Sequence, residues 1–343
     1  MKTLLVPYDA ASIEQAAALI RAGGLVAFPT ETVYGLGANG LDGEAVLRIF
    51  EAKGRPADNP LILHVSSLTQ VLTLIDGPLP EKARLLADAF WPGPLTMVLK
   101  KSGIVPDEVT AGLHTVAIRM PSHPAARELI EKAGVPVAAP SANRSGRPSP
   151  TRAEHVLEDM DGRIPMVLDG GPCQVGLEST VVDMTGDVPR VLRPGGVTPE
   201  MIEAALGAVQ VDDSALRPLR EGEQARSPGM KYKHYAPQGR LTIVQGAAEA
   251  VAREIAFRYD EAKAQGIRCA ILAVNAERYG DRCVRPLGKT PEAVAANLFQ
   301  ALREMDEQNV QRMFAEAVDT AGVGLAIMNR MGRAAAFDII EVS

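Results

Sequence analysis

The alternation of short apolar runs with amphipathic helical patterns breaks once along this chain of 343 residues, between Gly207 and Gly239. The interrupting stretch is polar, carries charges of both signs and ends in SPGMKYKHYAP. Domains usually hold about 100–200 residues, so a chain of this length with one break is predicted to form two domains. We expect an N-terminal domain over residues 1–206, a linker over 207–239 and a C-terminal domain over 240–343.

Before the break, apolar runs outnumber helical patterns, which favours an α/β fold with a mixed sheet rather than a purely parallel one. A capping-box spacing of Ser12 and Gln15 predicts a first helix, and Gly23-Gly24 end it. Further helices are predicted at 42–50, 81–90, 124–133 and 199–206. Strands are predicted at 25–28, 61–65, 96–99, 116–119, 137–139, 166–168, 179–183 and 190–192.

After the break, a cleaner alternation predicts a smaller α/β domain whose mainly parallel sheet is covered by helices. A helix is expected over Ala247–Ala264, and a second one begins at Pro291 behind its cap Thr290. The expected strands are Leu241–Val244, Cys269–Val274 and, as the last strand, Gly324–Met328.

Composition and charge favour a cytoplasmic protein that is not primarily a nucleic-acid binder. The net charge is −6 and the pI about 5.5, whereas nucleic-acid binders are usually basic, although basic residues can still cluster in one cleft. No stretch approaches the ~20 apolar residues of a membrane span, and the run within MKTLLVPYDAAS is too short for a signal peptide. Cys173, Cys269 and Cys283 lie far apart, which argues against a disulfide framework or a zinc site.

Polar or basic residues recur in five loops at the edges of the predicted strands. Lys53 and Arg55 follow a helix, where they could hold one polyphosphate or simply form a solvated basic helix end. Arg119 closes an apolar strand, beside Thr115, so its charge needs a partner. The remaining loops and strand ends contribute Thr115, Ser141, Asn143, Ser149 before a helix start, Ser179 and Arg193. Five such loops predict one shared cleft for a polyanionic small molecule.

Simpler interpretations apply to two features. His64, inside an apolar strand, is typical of a satisfied core histidine. Gly35, Gly37 and Gly40 spell GxGxxG in a Gly-rich loop expected over Pro29–Gly40, but PTETVY separates them from the strand, so a tight turn is favoured over a dinucleotide site. The sequence has no GxxxxGK[ST], GxSxG or HExxH, so a covalent mechanism or a structural metal has little support.

Seven motifs follow one another along the chain: PTETVYGLG, KGRPADNPLILHV, WPGPLT, APSANRSGRPSPT, GLESTVVD, VLRPGG and SPGMKYKHYAP. In this order and spacing they resemble the threonylcarbamoyl-AMP synthase family in its long two-domain form. The resemblance covers essentially the whole chain. It implies an N-terminal mixed-sheet α/β domain with a large concave cleft and a C-terminal Rossmann-like accessory domain.

The resemblance also implies an activity. This is the ATP-dependent synthesis of L-threonylcarbamoyladenylate from L-threonine, bicarbonate and ATP, with release of pyrophosphate, for the threonylcarbamoyl modification of adenosine in tRNA. Mg²⁺ is expected on the ATP phosphates, without a protein metal site or an organic cofactor, and proteins that transfer the product to tRNA are expected partners. The alternative is a non-catalytic module that binds double-stranded RNA or the ribosome through Arg144, Arg147, Arg152 and Arg193.

Matching motif positions imply the roles of individual residues. L-threonine would be held by Thr32, His64, Arg119, Ser179 and the backbone at Ala139, with Arg119 on the carboxylate. ATP would be held by Lys53, Arg55, Asn59, Thr115, Ser141, Asn143, Ser149, Arg193 and Tyr235, with Lys53 and Arg55 as the catalytic residues. Tyr235 would make the linker a lid. Lys233 stands where the family motif has arginine and lacks its bidentate fork.

Overall fold

The computed structural model describes residues 2–215, 217 and 235–343. Their contacts define two units, one within Met1–Ser145 and Ser149–Tyr232 and the other within Gly146–Pro148 and Lys233–Ser343. Most of the predicted linker, including Lys233, falls outside the described residues. Within the described ranges, no helix is both long and apolar enough to cross a bilayer.

The first unit is built on one mixed sheet. Its elements are β1 (Leu4–Pro7), α1 (Ala10–Arg21), β2 (Val26–Phe28), β3 (Gly35–Asn39), α2 (Gly43–Lys53), β4 (Ile62–His64), α3 (Leu68–Leu74), α4 (Glu81–Phe90), β5 (Leu95–Lys100), α5 (Asp107–Thr110), β6 (Thr115–Arg119), α6 (Pro124–Ala133), β7 (Val137–Ala139), α7 (Ala153–Met160), β8 (Met166–Asp169), β9 (Thr180–Asp183), β10 (Arg190–Arg193), α8 (Pro199–Leu206) and β11 (Gln210–Val211). Counted over the described residues, eleven strands pair in the order β1-β8-β2-β3-β7-β4-β6-β5-β9-β10-β11. Parallel pairs such as β4–β6 occur beside antiparallel pairs such as β5–β6, which confirms the predicted mixed sheet.

The two faces of this sheet are covered differently. One face packs against α2, α4, α7 and α8 in the main core, which includes Val116 and Ile118. On the opposite face, α1 and α6 pack around Phe28 and Val137. Farther along that face, β4, β5, β6, β9 and β10 present a small apolar cluster of Ile62, Val98, Ala117, Val181 and Leu192. His64, Thr96 and Arg119, which are described below, project from the same face as this small cluster.

Local end signals explain why α4, α6 and α8 have the predicted bounds. Proline occupies the first turn of α6 and α8, and Thr198 caps α8 by accepting a hydrogen bond from the Met201 N–H at 3.3 Å. The predicted cap of the first helix was wrong. The carboxylate of Asp9 caps α1 and accepts from the Ser12 N–H at 2.8 Å, because Asp caps a helix as well as Ser does.

Packing, rather than a tight turn, explains the first two glycines of the GxGxxG match. The loop predicted over Pro29–Gly40 is wrong at its end, since Gly35–Asn39 forms β3 between β2 and β7. A Cβ atom on Gly37 would lie 2.8 Å from side-chain carbons of both Phe28 and Val137. Gly35 and Gly37 therefore let the face of β3 pack closely, whereas Gly40 lies in the turn that follows this strand.

The second unit carries a smaller sheet. Its elements are β12 (Arg240–Gly246), α9 (Ala248–Ala264), β13 (Cys269–Ala273), β14 (Val284–Pro286), α10 (Pro291–Glu307), β15 (Arg312–Glu316), α11 (Gly324–Ala334) and β16 (Ile339–Val342). The order is β14-β13-β15-β12-β16, and each of these pairings is parallel. The prediction of a mainly parallel sheet is confirmed.

The strand predicted at Gly324–Met328 is wrong, because these residues begin α11. A short apolar run does not distinguish a strand from a buried helix segment. The buried positions continue past the run at helical spacing, through Ile327, Met331 and Ala334. The last strand is β16, whose alternating exposed and half-buried residues carry a weaker signal.

Replacement Gly37→Ala is expected to lower the free energy of unfolding by about 1–3 kcal/mol, because overpacking forces Phe28 and Val137 to shift. Chemical denaturation checks this value. Gly103→Ala is the matched control, since a Cβ atom there meets no heavy atom within 4 Å. A Gly37→Ala protein as stable as the control would show that close packing does not require this glycine.

Candidate functional site

Strand register places the predicted threonine-binding residues on one face of the first sheet. His64 pairs with Arg119 across β4 and β6, and Arg119 pairs with Thr96 across β6 and β5. Ala139 pairs with Ile62, two residues before His64. Directly paired residues share a face, and side chains two apart along a strand do the same. His64, Thr96, Arg119 and Ala139 therefore project from the same side as the small apolar cluster.

Arg119 is the centre of the polar contacts on this face. Its guanidinium is buried, with 3% of the residue exposed. Nη1 donates to Oγ1 of Thr32 at 2.8 Å, and Nε donates to the carbonyl of Gly93 over a longer 3.4 Å. Nη2 lies 2.7 Å from Oε1 of Glu31. The loop after β2 and the turn before β5 thus both supply partners for one buried charge.

The hydroxyl of Thr32 is oriented by Thr30. The two Oγ1 atoms lie 2.8 Å apart, and Thr30 donates its own proton to the carbonyl of Val33 at 2.6 Å. Thr32 is therefore the donor to Thr30, while its oxygen accepts from Arg119. In this arrangement, a ligand that contacts Oγ1 of Thr32 has to bring a hydrogen-bond donor.

Glu31 supplies the negative charge next to Arg119. Burial favours the protonated carboxyl, but the charge and contact of Arg119 together with the backbone N–H groups of Glu31 and Ser122 outweigh this effect and hold the pKa of Glu31 below its usual range. Neither carboxylate oxygen has a well-aligned hydrogen bond, and neither does Nη2 of Arg119, although the two groups are in ionic contact. The pair is close but poorly aligned for hydrogen bonding.

His64 is a neutral imidazole in the folded protein. Its Nδ1 lies 3.2 Å from the carbonyl of Ile62, and the Phe28 ring meets it edge to face with the ring centroids 6.0 Å apart. Burial, together with the charge of Arg119, lowers the pKa of His64 to about 3. His64 is therefore buried, as expected of a core histidine, and it also pairs with Arg119 in the sheet. The two predictions made for this residue are compatible with each other.

Ser179 and Arg193 extend the polar cluster across β5, β9 and β10. Oγ of Ser179 lies 2.8 Å from Oγ1 of Thr96. Arg193 donates from Nε to the Ser179 carbonyl at 3.0 Å and from Nη2 to its hydroxyl at 3.1 Å. Arg193 is buried, so it does not line an exposed basic groove.

Lys53 holds the loop that carries Ser141 and Asn143. It is the last residue of α2 rather than a residue beyond the helix, and Gly54 caps the helix in a left-handed conformation, with φ of 63°. Its ammonium group donates to the carbonyls of Ser141 and, at 2.6 Å, of Asn143. Ser141 also donates to Oδ1 of Asn143 at 2.6 Å. Three of the residues predicted to hold ATP, namely Lys53, Ser141 and Asn143, are thus joined directly.

Arg55, Asn59 and Thr115 lie toward the other end of the β4–β6 pair. Arg55 donates to the carbonyl of Asn59 at 3.2 Å, and Asn59 precedes β4. Thr115 begins β6 and Arg119 ends it, so they stand about 13 Å apart along the strand. The sequence treatment of Thr115 as lying beside Arg119 is therefore wrong, because the residues occupy opposite ends of one strand.

Two further predicted contacts lie in different surroundings. Ser149 lies four residues before the first residue of α7, so it precedes a helix start as the sequence predicts, and its buried hydroxyl donates to Glu178. Tyr235 belongs to the second unit, where its ring lies 5.1 Å from that of Phe299 and beneath the guanidinium of Arg330. Its φ of 63° is uncommon for a residue with a side chain. The lid role of Tyr235 stays a prediction.

Sequence reasoning missed three polar residues of this cluster: Glu31, Thr96 and Glu178. Each lies inside a motif that the sequence analysis quoted, namely PTETVYGLG, WPGPLT and GLESTVVD. The available signal was an acidic or hydroxyl side chain within a family motif, and for Glu31 and Glu178 that motif also held an expected ligand-binding residue. Only the fold shows that they contact Arg119, Ser179 and Ser149.

Two family models match the chain in succession. One, described as "Telomere recombination", matches residues 18–195. The other, described as "Threonylcarbamoyl-AMP synthase, C-terminal domain", matches residues 197–336. Together they cover both sides of the predicted linker.

Relatives of known name and structure match over nearly the whole length. Threonylcarbamoyl-AMP synthase of Pyrococcus abyssi is 49% identical over 330 residues, 96% of each chain. The synthase of Bacillus subtilis is 50% identical over 334 residues, 96% of this chain and 94% of the relative. The crystal structure of P. abyssi Sua5 complexed with L-threonine has a TM-score of 0.95 at 47% identity, covering 99% of this chain and 100% of that one.

The imidazole of His64 is expected to stay neutral from pH 8 to pH 5, as ¹⁵N NMR of the ring nitrogens would show. An unfolded histidine takes up a proton near pH 6.5, whereas folded His64 does so only near pH 3. This histidine therefore contributes stability that is complete above pH 6.5 and is lost as the pH falls toward 3. Its contribution has a slope of up to about 1.4 kcal/mol per pH unit.

Urea unfolding at several pH values checks the linkage. The free energy of unfolding should fall less steeply with decreasing pH in His64→Gln than in the unmodified protein, because glutamine takes up no proton. Parallel curves for the two proteins would show that His64 does not have a depressed pKa.

Proposed function

The chain belongs to the threonylcarbamoyl-AMP synthase family, and from this we propose that it makes L-threonylcarbamoyladenylate from ATP, L-threonine and bicarbonate, releasing pyrophosphate. It is a nucleotidyltransferase that serves threonylcarbamoyl modification of tRNA. The observation that carries the proposal is the match, over almost the whole length of both chains, to a relative whose structure holds L-threonine.

We assign the amino-acid end of the site to the cluster around Arg119. Arg119 pairs with the threonine carboxylate, since guanidinium matches the geometry of a carboxylate. Thr32, His64, Ser179 and the backbone at Ala139 surround the remainder of the amino acid. The supporting observation is that strand pairing places His64, Arg119 and Ala139 on one sheet face, and that Thr32, in the loop after β2, is bonded to Arg119 at 2.8 Å.

We assign the nucleotide to residues at both ends of the β4–β6 pair. The assigned set is Lys53, Arg55, Asn59, Thr115, Ser141, Asn143, Ser149 and Arg193. The length of β6, about 13 Å from Thr115 to Arg119, suits an extended nucleotide with an amino acid at one end. Mg²⁺ enters as part of the substrate, on the ATP phosphates.

The proposed reaction needs no nucleophile from the protein. The threonine amine attacks carbon dioxide derived from bicarbonate and loses a proton, which gives a carbamate. A carbamate oxygen then attacks the α-phosphorus of ATP, the bond from that phosphorus to the bridging oxygen breaks, and pyrophosphate leaves. Lys53, Arg55 and Arg193 contribute positive charge, so catalysis rests on positioning and electrostatic stabilisation.

Pyrophosphate release from ATP is expected only when Mg²⁺, bicarbonate and L-threonine are all present. L-serine and L-alanine serve as controls, and a coupled phosphate assay measures the rate. Release without L-threonine would contradict the proposed substrate. No release under any condition, together with RNA binding that weakens steeply as salt is added, would favour the RNA-binding alternative.

Replacement Lys53→Ala is expected to lower turnover in this assay by a factor on the order of 10²–10³. The change removes a positive charge and the two hydrogen bonds that hold the loop at Ser141 and Asn143. Lys2→Ala, at an exposed lysine, is the control and should retain full turnover. An unchanged rate in Lys53→Ala would exclude Lys53 from the catalytic group.

A further inference from the structure

Glu31 is a buried acid for which the proposed reaction has no role. It is 7% exposed, and both of its carboxylate oxygens are buried without a well-aligned hydrogen bond. Leaving a buried acceptor unsatisfied is costly, more so when it is charged. Nη2 of Arg119 is in the same condition, 2.7 Å from Oε1 of Glu31. Two adjacent groups of opposite charge therefore both have hydrogen-bonding capacity that the described protein does not use.

A structural ion pair would be expected to use this capacity. An arginine that serves only as the counter-ion of a carboxylate commonly forms two parallel N–H···O bonds with it. Here Nη1 of Arg119 donates to Thr32 and Nε donates to Gly93, which leaves the guanidinium poorly aligned with Glu31. The guanidinium of Arg119 and the carboxylate of Glu31 therefore lie side by side, but their hydrogen-bonding capacity is not fully used.

The three acceptors beside Arg119 match one particular donor group. Both oxygens of Glu31 can accept, and Oγ1 of Thr32 can only accept, because its proton is directed to Thr30. An ammonium group has three N–H donors and a positive charge, and it has no acceptor. His64, which faces the same cluster, is neutral and does not compete for the negative charge.

We propose that Glu31 positions the ammonium group of the amino-acid substrate while Arg119 binds its carboxylate, so that the pair recognises the zwitterion. The inference rests on the proposed function, because the substrate is L-threonine. Glu31 is a positioning residue in this scheme. It selects amino acids over analogues that lack the amine. It also fixes the nitrogen, which attacks carbon dioxide after the ammonium group has released one proton to solvent.

Two ligands separate this role from a purely structural one. Isothermal titration calorimetry would measure the binding of L-threonine and of (3R)-3-hydroxybutanoate, which keeps the carboxylate and hydroxyl but lacks the amine. The unmodified protein should bind L-threonine at least about 10-fold more tightly, since the hydroxy acid leaves Glu31 unsatisfied. Equal affinities would overturn the proposal without any variant.

Replacement Glu31→Gln is expected to weaken L-threonine binding by about 10- to 100-fold, the loss typical of a buried charged hydrogen bond. It should leave the affinity for (3R)-3-hydroxybutanoate unchanged or higher, because Arg119 then has no protein counter-charge near its Nη2. Glu44→Gln removes an exposed carboxylate and is the matched control. The KM for L-threonine should rise in Glu31→Gln by a larger factor than kcat falls.

An equal loss of affinity for both ligands would overturn the proposal, because Glu31 would then merely hold Arg119 in place. Unchanged L-threonine affinity in Glu31→Gln would overturn it as well. Failure of the unmodified protein to bind L-threonine would instead count against the proposed function. If Glu31→Gln does not fold, as circular dichroism would show, the comparison of the two ligands on the unmodified protein decides the matter.

Discussion

The burial of one guanidinium organises the amino-acid end of this site. A charged side chain with so little exposure needs partners, and Arg119 stands at the end of a central strand, between β4 and β5. It donates hydrogen bonds to the hydroxyl of Thr32, in the loop after β2, and to the carbonyl of Gly93, in the turn before β5. The positions of both segments are therefore tied to the charge of a single residue.

Two structural devices bring the other functional groups to the same face. Pairing in register aligns His64, Arg119 and Thr96, so that no long loop is needed to place them together. The ammonium group of Lys53 ties the end of α2 to the loop after β7 by two carbonyl contacts. The first device uses the alternation of strands, and the second uses a charged side chain as a cross-link. Both fix the geometry of the site before a substrate binds, and catalysis by positioning of the substrates requires this.

Much of this structure could be predicted from the sequence wherever the signal is local. Caps and prolines define α6 and α8, and the ordered motifs identify the family and most of the expected ligands. The failures concern information that is not local. Gly37 resembles a turn residue until Phe28 and Val137 are seen on either side of it, and Thr115 resembles a neighbour of Arg119 until β6 separates them. Glu31 could not be singled out, because a sequence does not show that an acid lacks well-aligned hydrogen bonds.

The pKa values of Glu31 and His64 bear on how the reaction depends on pH. The pKa of Glu31 is lowered, so the group keeps its charge, while the pKa of His64 is lowered to about 3, so the group stays uncharged. The protein thus presents the amino acid with a charge pattern that does not change across the neutral range. At this end of the site, the pH dependence of the reaction then comes from the nucleophile, which is the amine of threonine.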